Sequence, residues 1–179
     1  MPPLFFALKF PSGIRKDIEA AYATPFRDVM VRGGWKPVPR ENYHLTLHYM
    51  GDVPRTRIPM IAKIFSRTIF PSTQPIWIGG KQLYYFGKNV CYVPARDENG
   101  FLESLRAVCA PILPYDDMKE FIPHVTLFRR KKANYPPPPI PIAHGVDIPF
   151  YPRFFSLLVS MEEKGKVSYP EIARSPLTE

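Results

Sequence analysis

Two periodicities alternate along the chain, and they predict strands and helices in turn. Residues 4–10 and 43–50 have the apolar character and the two-residue alternation of strands. Between them, apolar residues from Ile14 to Met30 recur at helical spacing. We expect Pro25 to break or kink this first helix, because proline lacks the N–H that a helix interior needs, and Gly33-Gly34 to end it.

The same patterns predict the remaining elements. Residues 58–69 and 101–112 carry helical stripes, and Pro114 is expected to stop the second of these helices. Gly87-Lys88 separates two strand-like segments and predicts a hairpin. The strands predicted in this part of the chain cover residues 75–86, 89–95, 124–128, 146–150, 153–162 and 166–172. Three helices interleaved with seven or eight strands predict an α+β fold with mainly antiparallel sheets.

Proline is unusually frequent, at 23 of 179 residues, against an average of about 5%. Residues 131–141 form a basic stretch that contains four consecutive prolines. We expect this loop to be extended or in the polyproline II conformation, not packed. The sequence does not indicate a function for its proline-rich part, residues 135–141.

Size and composition limit the class of protein. With 45% hydrophobic and 22% charged residues, the chain is expected to form one folded domain. Cys91 and Cys109 are its only cysteines, too few for a disulfide scaffold or a Cys-rich zinc site. No apolar run reaches the ~20 residues that a membrane span requires, and the N-terminal segment lacks the basic region of a signal peptide. We therefore expect a cytoplasmic monomer. The formal charge of +8 favours a polyanionic partner such as a nucleic acid or a nucleotide.

One four-residue pattern occurs twice, as His44-Leu45-Thr46-Leu47 and as His124-Val125-Thr126-Leu127, in a chain with four histidines. Each copy lies in a predicted strand after a helical segment, as an internal duplication would place it. In a strand, residues i and i+2 point to the same face. Each copy therefore presents an imidazole and a hydroxyl together, while its leucine anchors the opposite face.

Two imidazoles and two hydroxyls around one cleft suit phosphodiester hydrolysis without a metal ion. A neutral histidine can take a proton from water while a protonated one gives a proton to the leaving oxygen. The threonine hydroxyls can donate hydrogen bonds to the non-bridging phosphate oxygens. A zinc site at His44 and His48 is disfavoured, because residues four apart on a strand are about 13 Å apart. We expect neither a metal nor a cofactor.

These motifs resemble those of the 2H phosphoesterases, named for paired His-x-Thr-x motifs. Within that superfamily the chain is most similar to the LigT-like RNA 2′,3′-cyclic phosphodiesterases of bacteria and archaea, historically called 2′-5′ RNA ligases. Residues 4–10, 41–47 with Gly51, and 121–127 with Arg129 match in order and spacing. The resemblance implies a bilobal α+β fold over residues 1–179. It has two pseudo-symmetric antiparallel sheets, helices outside, a central cleft and one motif in each lobe.

The resemblance also implies a reaction and roles for the motif residues. The reaction is the opening of an RNA 2′,3′-cyclic phosphate to a 2′-phosphate, with His44 as proton donor and His124 as proton acceptor. Thr46, Thr126 and Arg129 would bind the phosphate, and Phe121 is a candidate for stacking on a base.

Other candidate contacts depend on strand parity. Arg130, six residues after His124, shares the face of His124 in a regular strand, whereas the resemblance favours Arg129. A bulge or a strand end after Thr126 would reconcile the two. His48 occupies a position where the family commonly has arginine, and its parity places it on the motif face. It would either line the cleft or lie at a solvent-exposed strand end.

The substrate stays open at this level. Other cyclic or 2′-5′-linked nucleotides, among them cyclic dinucleotides and ADP-ribose cyclic phosphate, suit the same chemistry. A non-catalytic nucleotide- or RNA-binding module is an alternative of a different class. The sequence does not decide the base preference or whether the reverse 2′-5′ ligation occurs.

Overall fold

The computed structural model describes residues 2–112, 120–130, 140–142 and 145–178. Within this part of the chain, the first predicted helix is divided into two helices, α1 (Ser12–Ile18) and α2 (Arg27–Arg32). A π-helical segment (Glu19–Ala23) and a 3-10 turn (Thr24–Phe26) join them. Pro25 lies in that turn, where its missing N–H is tolerated. The predictions for Pro114 and for residues 131–139 lie outside the described residues.

The two later helices are shorter than their apolar stripes. Helix α3 (Ile58–Phe65) ends four residues before the predicted limit, and Ile69 is 90% exposed, so it adds no buried apolar surface to the helix. Helix α4 (Phe101–Cys109) continues as a 3-10 turn over Ala110–Ile112. In the part of the chain that the structure describes, the strands are β1 (Pro3–Lys9), β2 (Lys36–Pro37), β3 (His44–Asp52), β4 (Ile76–Ile78), β5 (Gln82–Phe86), β6 (Val90–Arg96), β7 (His124–Arg129), β8 (Ile140–Pro141), β9 (Ile148–Phe150), β10 (Phe154–Val159), β11 (Met161–Glu163), β12 (Lys166–Ser168) and β13 (Glu171–Pro176).

Several predicted strands are divided in the structure. The segment 75–86 is interrupted at Gly79-Gly80, where the chain passes so close to Val146 that a Cβ on Gly79 would lie 2.5 Å from the Val146 carbonyl oxygen. Segments 153–162 and 166–172 are likewise split, into β10 and β11 and into β12 and β13. The expectation of an unpacked loop up to Pro141 was wrong at its end. Ile140 and Pro141 pair with β5, and the partly buried Ile140 packs against the core.

The strands form a large antiparallel sheet that consists of two halves. One half has the order β13-β10-β1-β3, and the other has the order β7-β6-β4-β9, with β2, β5 and β8 paired at its margins. The halves meet between β3 and β7 at a single pair, Leu45 with Val125. Strands β11 and β12 form a separate hairpin. The predicted hairpin at Gly87-Lys88 is confirmed, with Tyr85 opposite Cys91. The prediction of an α+β fold with antiparallel sheets is confirmed.

One apolar core lies under both halves of the sheet. Leu45 and Leu47 of β3 and Val125 and Leu127 of β7 are at most 3% exposed and belong to the same cluster. The opposite face of the first half carries a small second cluster, formed by Phe5, Ala7 and Leu158 with Tyr169 against it. The polar motif residues share this opposite face with the small second cluster, since Thr46 lies opposite Ala7 and His44 contacts Phe5. Among the helices in the described residues, none is long and apolar enough to cross a membrane.

Candidate active site

The two motifs lie side by side at the centre of the sheet. Each begins a strand, His44 in β3 and His124 in β7. Because β3 and β7 are antiparallel and Leu45 lies opposite Val125, the register places the motif residues of one strand opposite those of the other. His44 is opposite Thr126, and Thr46 is opposite His124. The structure thus brings the four predicted side chains to one face.

Both motifs contain the same irregularity. In the pairing of β7 with β6, Thr126 lies opposite Tyr92 and Phe128 lies opposite Cys91. Leu127 therefore has no partner on β6 and is an extra residue in the strand. Strand β3 has the equivalent step against β1 after Thr46. A bulge of this kind reverses the alternation of the residues that follow it. As a result, Tyr49 and Arg129, the exposed residues three places after Thr46 and Thr126, lie on the same face as the motif histidines and threonines, here called the cleft face.

The bulges determine which of the following residues share a face with the motif histidines and threonines. Arg129 follows Thr126 on the cleft face, as the bulge alternative required. Arg130 lies on the opposite face, where its guanidinium is 4.4 Å from the ring centroid of Trp35 and its Nε donates to the Lys88 carbonyl. The prediction from strand parity that Arg130 shares the face of His124 was therefore wrong. His48 is likewise out of phase with Thr46; it lies opposite Phe6 and is 7% exposed.

Each motif imidazole is held by the backbone two residues before it. Nδ1 of His44 lies 2.7 Å from the Asn42 carbonyl oxygen, and Nδ1 of His124 lies 2.8 Å from that of Ile122. A carbonyl oxygen only accepts, so Nδ1 is the protonated nitrogen in both rings. Nε2 is then the nitrogen that exchanges a proton, and the two rings have matching tautomers.

Aromatic rings surround both imidazoles. His44 lies 5.1 Å from Phe5 and 4.7 Å from Tyr169 between ring centroids, and His124 lies 4.7 Å from Phe86 and 5.1 Å from Tyr92. These rings replace water around the nitrogen atoms and disfavour the charged form. In the absence of an anion, the environment therefore favours the neutral form of both imidazoles.

The pKa of each histidine reflects this burial. Burial lowers the pKa of His44 to about 4, and the positive charge of Arg129 acts in the same direction, while the Asn42 carbonyl opposes it. The pKa of His124 is also lowered, first by burial and then by Arg129. Arg129 thus lies within electrostatic reach of both imidazoles. A phosphate between them would reverse its effect, because a bound anion favours protonated histidine.

A cavity of about 220 Å³ lies beside His124. The residues that line it are Thr46, Leu47, His48, Tyr49, Phe86, Arg106, Glu120, Phe121, Ile122 and His124. Phe121 is partly exposed, and the Arg106 guanidinium lies 5.2 Å from its ring centroid. Two of the candidate contacts, Phe121 and His48, are therefore at the cavity, whereas Arg130 is not among its lining residues.

Sequence reasoning missed several neighbours of the histidines. Tyr169 follows the β11–β12 hairpin and is more than 120 residues from His44, so no local pattern marks it. Asn42 joins this region to the site, since its Nδ2 donates to the Val167 carbonyl while its own carbonyl holds His44. In the described ranges, no group of three or more His, Cys, Asp or Glu side chains is close enough to hold a metal ion.

The chain is similar to known proteins over nearly its whole length. It is 31% identical to the RNA 2′,3′-cyclic phosphodiesterase of Thermus thermophilus, over 92% of this chain and 85% of that protein. It is 26% identical to the protein of the same name from Escherichia coli K12, over 98% and 97% of the two chains. The model of the family described as LigT like Phosphoesterase matches residues 9–79, which include the first motif. The chain belongs to the LigT-like phosphoesterase family.

Solved structures agree with the fold. A Thermus thermophilus protein superposes with a TM-score of 0.72 at 28% identity, covering 99% of this chain and 98% of the other. Escherichia coli LigT in complex with 3′-AMP superposes with a TM-score of 0.72 at 21% identity, over the full length of both chains. The LigT-like fold that the motifs implied is therefore confirmed.

Proposed function

We propose that this protein hydrolyses RNA 2′,3′-cyclic phosphate ends to 2′-phosphates by metal-independent acid–base catalysis with two histidines. The observation that carries the proposal is the antiparallel juxtaposition of the two motifs. It places two imidazoles with matching tautomers and two hydroxyls on one face. Support also comes from the relatives named RNA 2′,3′-cyclic phosphodiesterase. All four groups belong to one chain, so a monomer has a complete site.

The reaction is an in-line displacement at phosphorus. Nε2 of His124 takes a proton from water as the water oxygen bonds to phosphorus. The P–O3′ bond breaks, and protonated Nε2 of His44 gives its proton to O3′, which leaves a free 3′-hydroxyl and a 2′-phosphate. His44 ends neutral and His124 ends protonated, so one proton returns through solvent before the next cycle.

The neighbouring groups stabilise the charge on phosphate. Thr46 and Thr126 donate hydrogen bonds to the non-bridging oxygens, and Arg129 supplies a positive charge that favours the anionic transition state. The cavity beside His124 receives the terminal base, with the rings of Phe121 and Phe86 as its aromatic walls.

The test is turnover of adenosine 2′,3′-cyclic phosphate, with the position of the product phosphate determined by phosphorus NMR. His44→Ala and His124→Ala are each expected to lower kcat by about 10²–10⁴-fold, because each removes one positioned proton-transfer group. Thr46→Ala, which removes only a hydrogen bond, is expected to be milder. Thr56→Ala, in an exposed turn that does not line the cavity, is the matched control and is expected to match the wild type.

A substrate panel separates the proposal from its alternatives. Faster turnover of a cyclic dinucleotide, an ADP-ribose cyclic phosphate or a 2′-5′ linkage would keep the chemistry and change the substrate. Binding of the cyclic nucleotide without turnover would favour a non-catalytic module. Near-normal turnover by folded His44→Ala or His124→Ala protein would show that the pair is not the catalytic unit.

A further inference from the structure

The sheet face that carries the motif histidines continues beyond them. Tyr92 of β6 lies opposite Thr126, and Tyr84 of β5 lies opposite Tyr92. Because cross-strand partners in antiparallel pairs share a face, one row runs from His44 through Thr126 and Tyr92 to Tyr84. The face that carries the candidate site thus continues along the sheet toward the β5–β6 hairpin.

Aromatic rings form a ladder along this row. The ring of Tyr92 is stacked with Phe86 at 4.2 Å and with Tyr84 at 5.8 Å between centroids, and Phe86 contacts His124 edge to face at 4.7 Å. Tyr92 is 6% exposed beneath the other two rings, whereas Tyr84 is 36% exposed. The hairpin therefore presents an aromatic surface that starts at a motif histidine and extends away from it.

A second row on the same face carries positive charge. Arg129 lies opposite Val90 of β6 on one side and opposite Lys36 of β2 on the other, and Val90 lies opposite Phe86. Lys36 and Arg129 are both exposed. Lys36 and Arg129 therefore lie on one side of the aromatic ladder. Their backbones are about one inter-strand spacing (~4.8 Å) apart.

The segments that build these rows contain no acidic residue. Residues 29–40, 80–96 and 121–130 hold eight lysines and arginines, and all 16 aspartates and glutamates of the chain lie elsewhere in the sequence. The segments become neighbours through the pairing of β2, β7, β6 and β5. At the margin, Arg96 forms a salt bridge with Asp147. Asp28, Glu41, Asp97 and Glu120 directly flank these segments, and Glu120 lines the cavity. The positive potential is therefore confined to the side of the aromatic ladder that carries Lys36 and Arg129.

We propose that Lys36 and Tyr84, which lie beyond the Phe86 wall of the cavity, form a platform for the RNA strand upstream of the reacting nucleotide. Aromatic faces beside a positive groove are the combination that binds single-stranded RNA, since bases stack on the rings while cations contact the phosphates. The inference rests on the proposed function and narrows its substrate. The protein acts on the end of an oligonucleotide in preference to a free cyclic mononucleotide.

The test compares kcat/KM for adenosine 2′,3′-cyclic phosphate with kcat/KM for an oligoadenylate that ends in the same cyclic phosphate. The oligoadenylate has about five nucleotides, a length matched to the site sizes of single-strand binders. The wild type is expected to prefer the oligonucleotide. Tyr84→Ala and Lys36→Glu are each expected to lower the ratio of the two kcat/KM values by about tenfold, the size of a lost base stack or phosphate contact. The salt dependence on the oligonucleotide should become shallower in Lys36→Glu.

Matched controls carry the same changes elsewhere on the surface. Tyr151→Ala removes a ring that is 62% exposed, and Lys63→Glu reverses an exposed charge on α3. Both are expected to keep the wild-type ratio. A wild type without preference for the oligonucleotide, or a ratio that falls as much in the controls as in the platform variants, overturns the proposal.

A binding measurement separates this inference from the proposed function. Fluorescence anisotropy with a labelled oligoadenylate that carries a 2′-phosphate reports binding without turnover. Weaker binding by folded Tyr84→Ala and Lys36→Glu supports the platform even if neither cyclic substrate is hydrolysed, in which case the proposed function alone fails. Unchanged binding by both variants overturns the platform even if the protein hydrolyses cyclic phosphates.

Discussion

Protonation of His44 controls the proposed reaction, and the structure gives this step a magnitude. Burial holds the pKa of His44 at about 4, so at pH 7 about one molecule in 1,000 carries the proton that the donor needs. Placing that proton at pH 7 costs about 4 kcal/mol, at 1.36 kcal/mol per pH unit. The substrate phosphate has to offset most of this cost, because its negative charge favours the charged imidazole.

The pH dependence of kcat/KM is therefore expected to differ from that of kcat. The profile of kcat/KM reports the free enzyme, in which both histidines have pKa values below 6.5. The reaction needs one protonated and one neutral imidazole, so kcat/KM should peak below pH 6.5. At pH 8.5 it should be at least about 100-fold below its maximum, since one limb falls tenfold per pH unit. The limbs of kcat should lie at higher pH, where bound phosphate has raised the pKa values.

Two measurements check this reasoning. Initial rates on adenosine 2′,3′-cyclic phosphate between pH 4 and 9 give both profiles, with circular dichroism to show that the protein stays folded. NMR of the four histidines, with His44→Gln to assign one signal, gives the pKa of His44 with and without inorganic phosphate. A kcat/KM that is flat or still rising between pH 6.5 and 8.5 would refute the argument. So would a His44 pKa near 6.5 in the free protein.

Three further predictions follow from the same contacts. The free energy of unfolding should fall by about 3 kcal/mol as the pH drops from 6.5 to 4, because His44 takes up a proton at higher pH in the unfolded chain than in the folded one. Urea unfolding of the wild type measures this loss, and His44→Gln should lack it. Arg129→Ala should lower kcat/KM at least about tenfold. Arg130→Ala loses the contact with Trp35 and should reduce the free energy of unfolding by about 0.5–2 kcal/mol with little change in kcat. Equal kinetic losses in the two variants would contradict the assignment of Arg129 to the cleft face. Turnover should survive EDTA, and a loss that added metal restores would disprove the metal-independent mechanism.

The sequence was informative where chemistry depends on local spacing. Two residues that are two apart on a strand must share a face, so each His-x-Thr pair was predictable as a unit. The chain also signalled its α+β class, because strand and helix periods alternate in it. The pairing of the two motifs could be anticipated from their repetition, although they are 80 residues apart.

Local periodicity failed where an extra residue entered a strand. The bulge at Leu127 moved Arg129 onto the cleft face and Arg130 off it, and the equivalent step after Thr46 took His48 out of phase. Nothing in the local pattern marks these sites, because a leucine fits a regular strand and a bulge equally well. The bulge depends on how the neighbouring strand pairs, which is a property of the assembled sheet.

The residue types and their spacing determined by themselves that this protein has two imidazole–hydroxyl pairs on strands. Only the tertiary structure decided their environment. Phe5 and Tyr169 reach His44, and Tyr92 and Phe86 reach His124, from strands and a turn that are distant in sequence. These contacts set the pKa values, since desolvation is the sum of everything that packs around a group and has no counterpart in the local sequence.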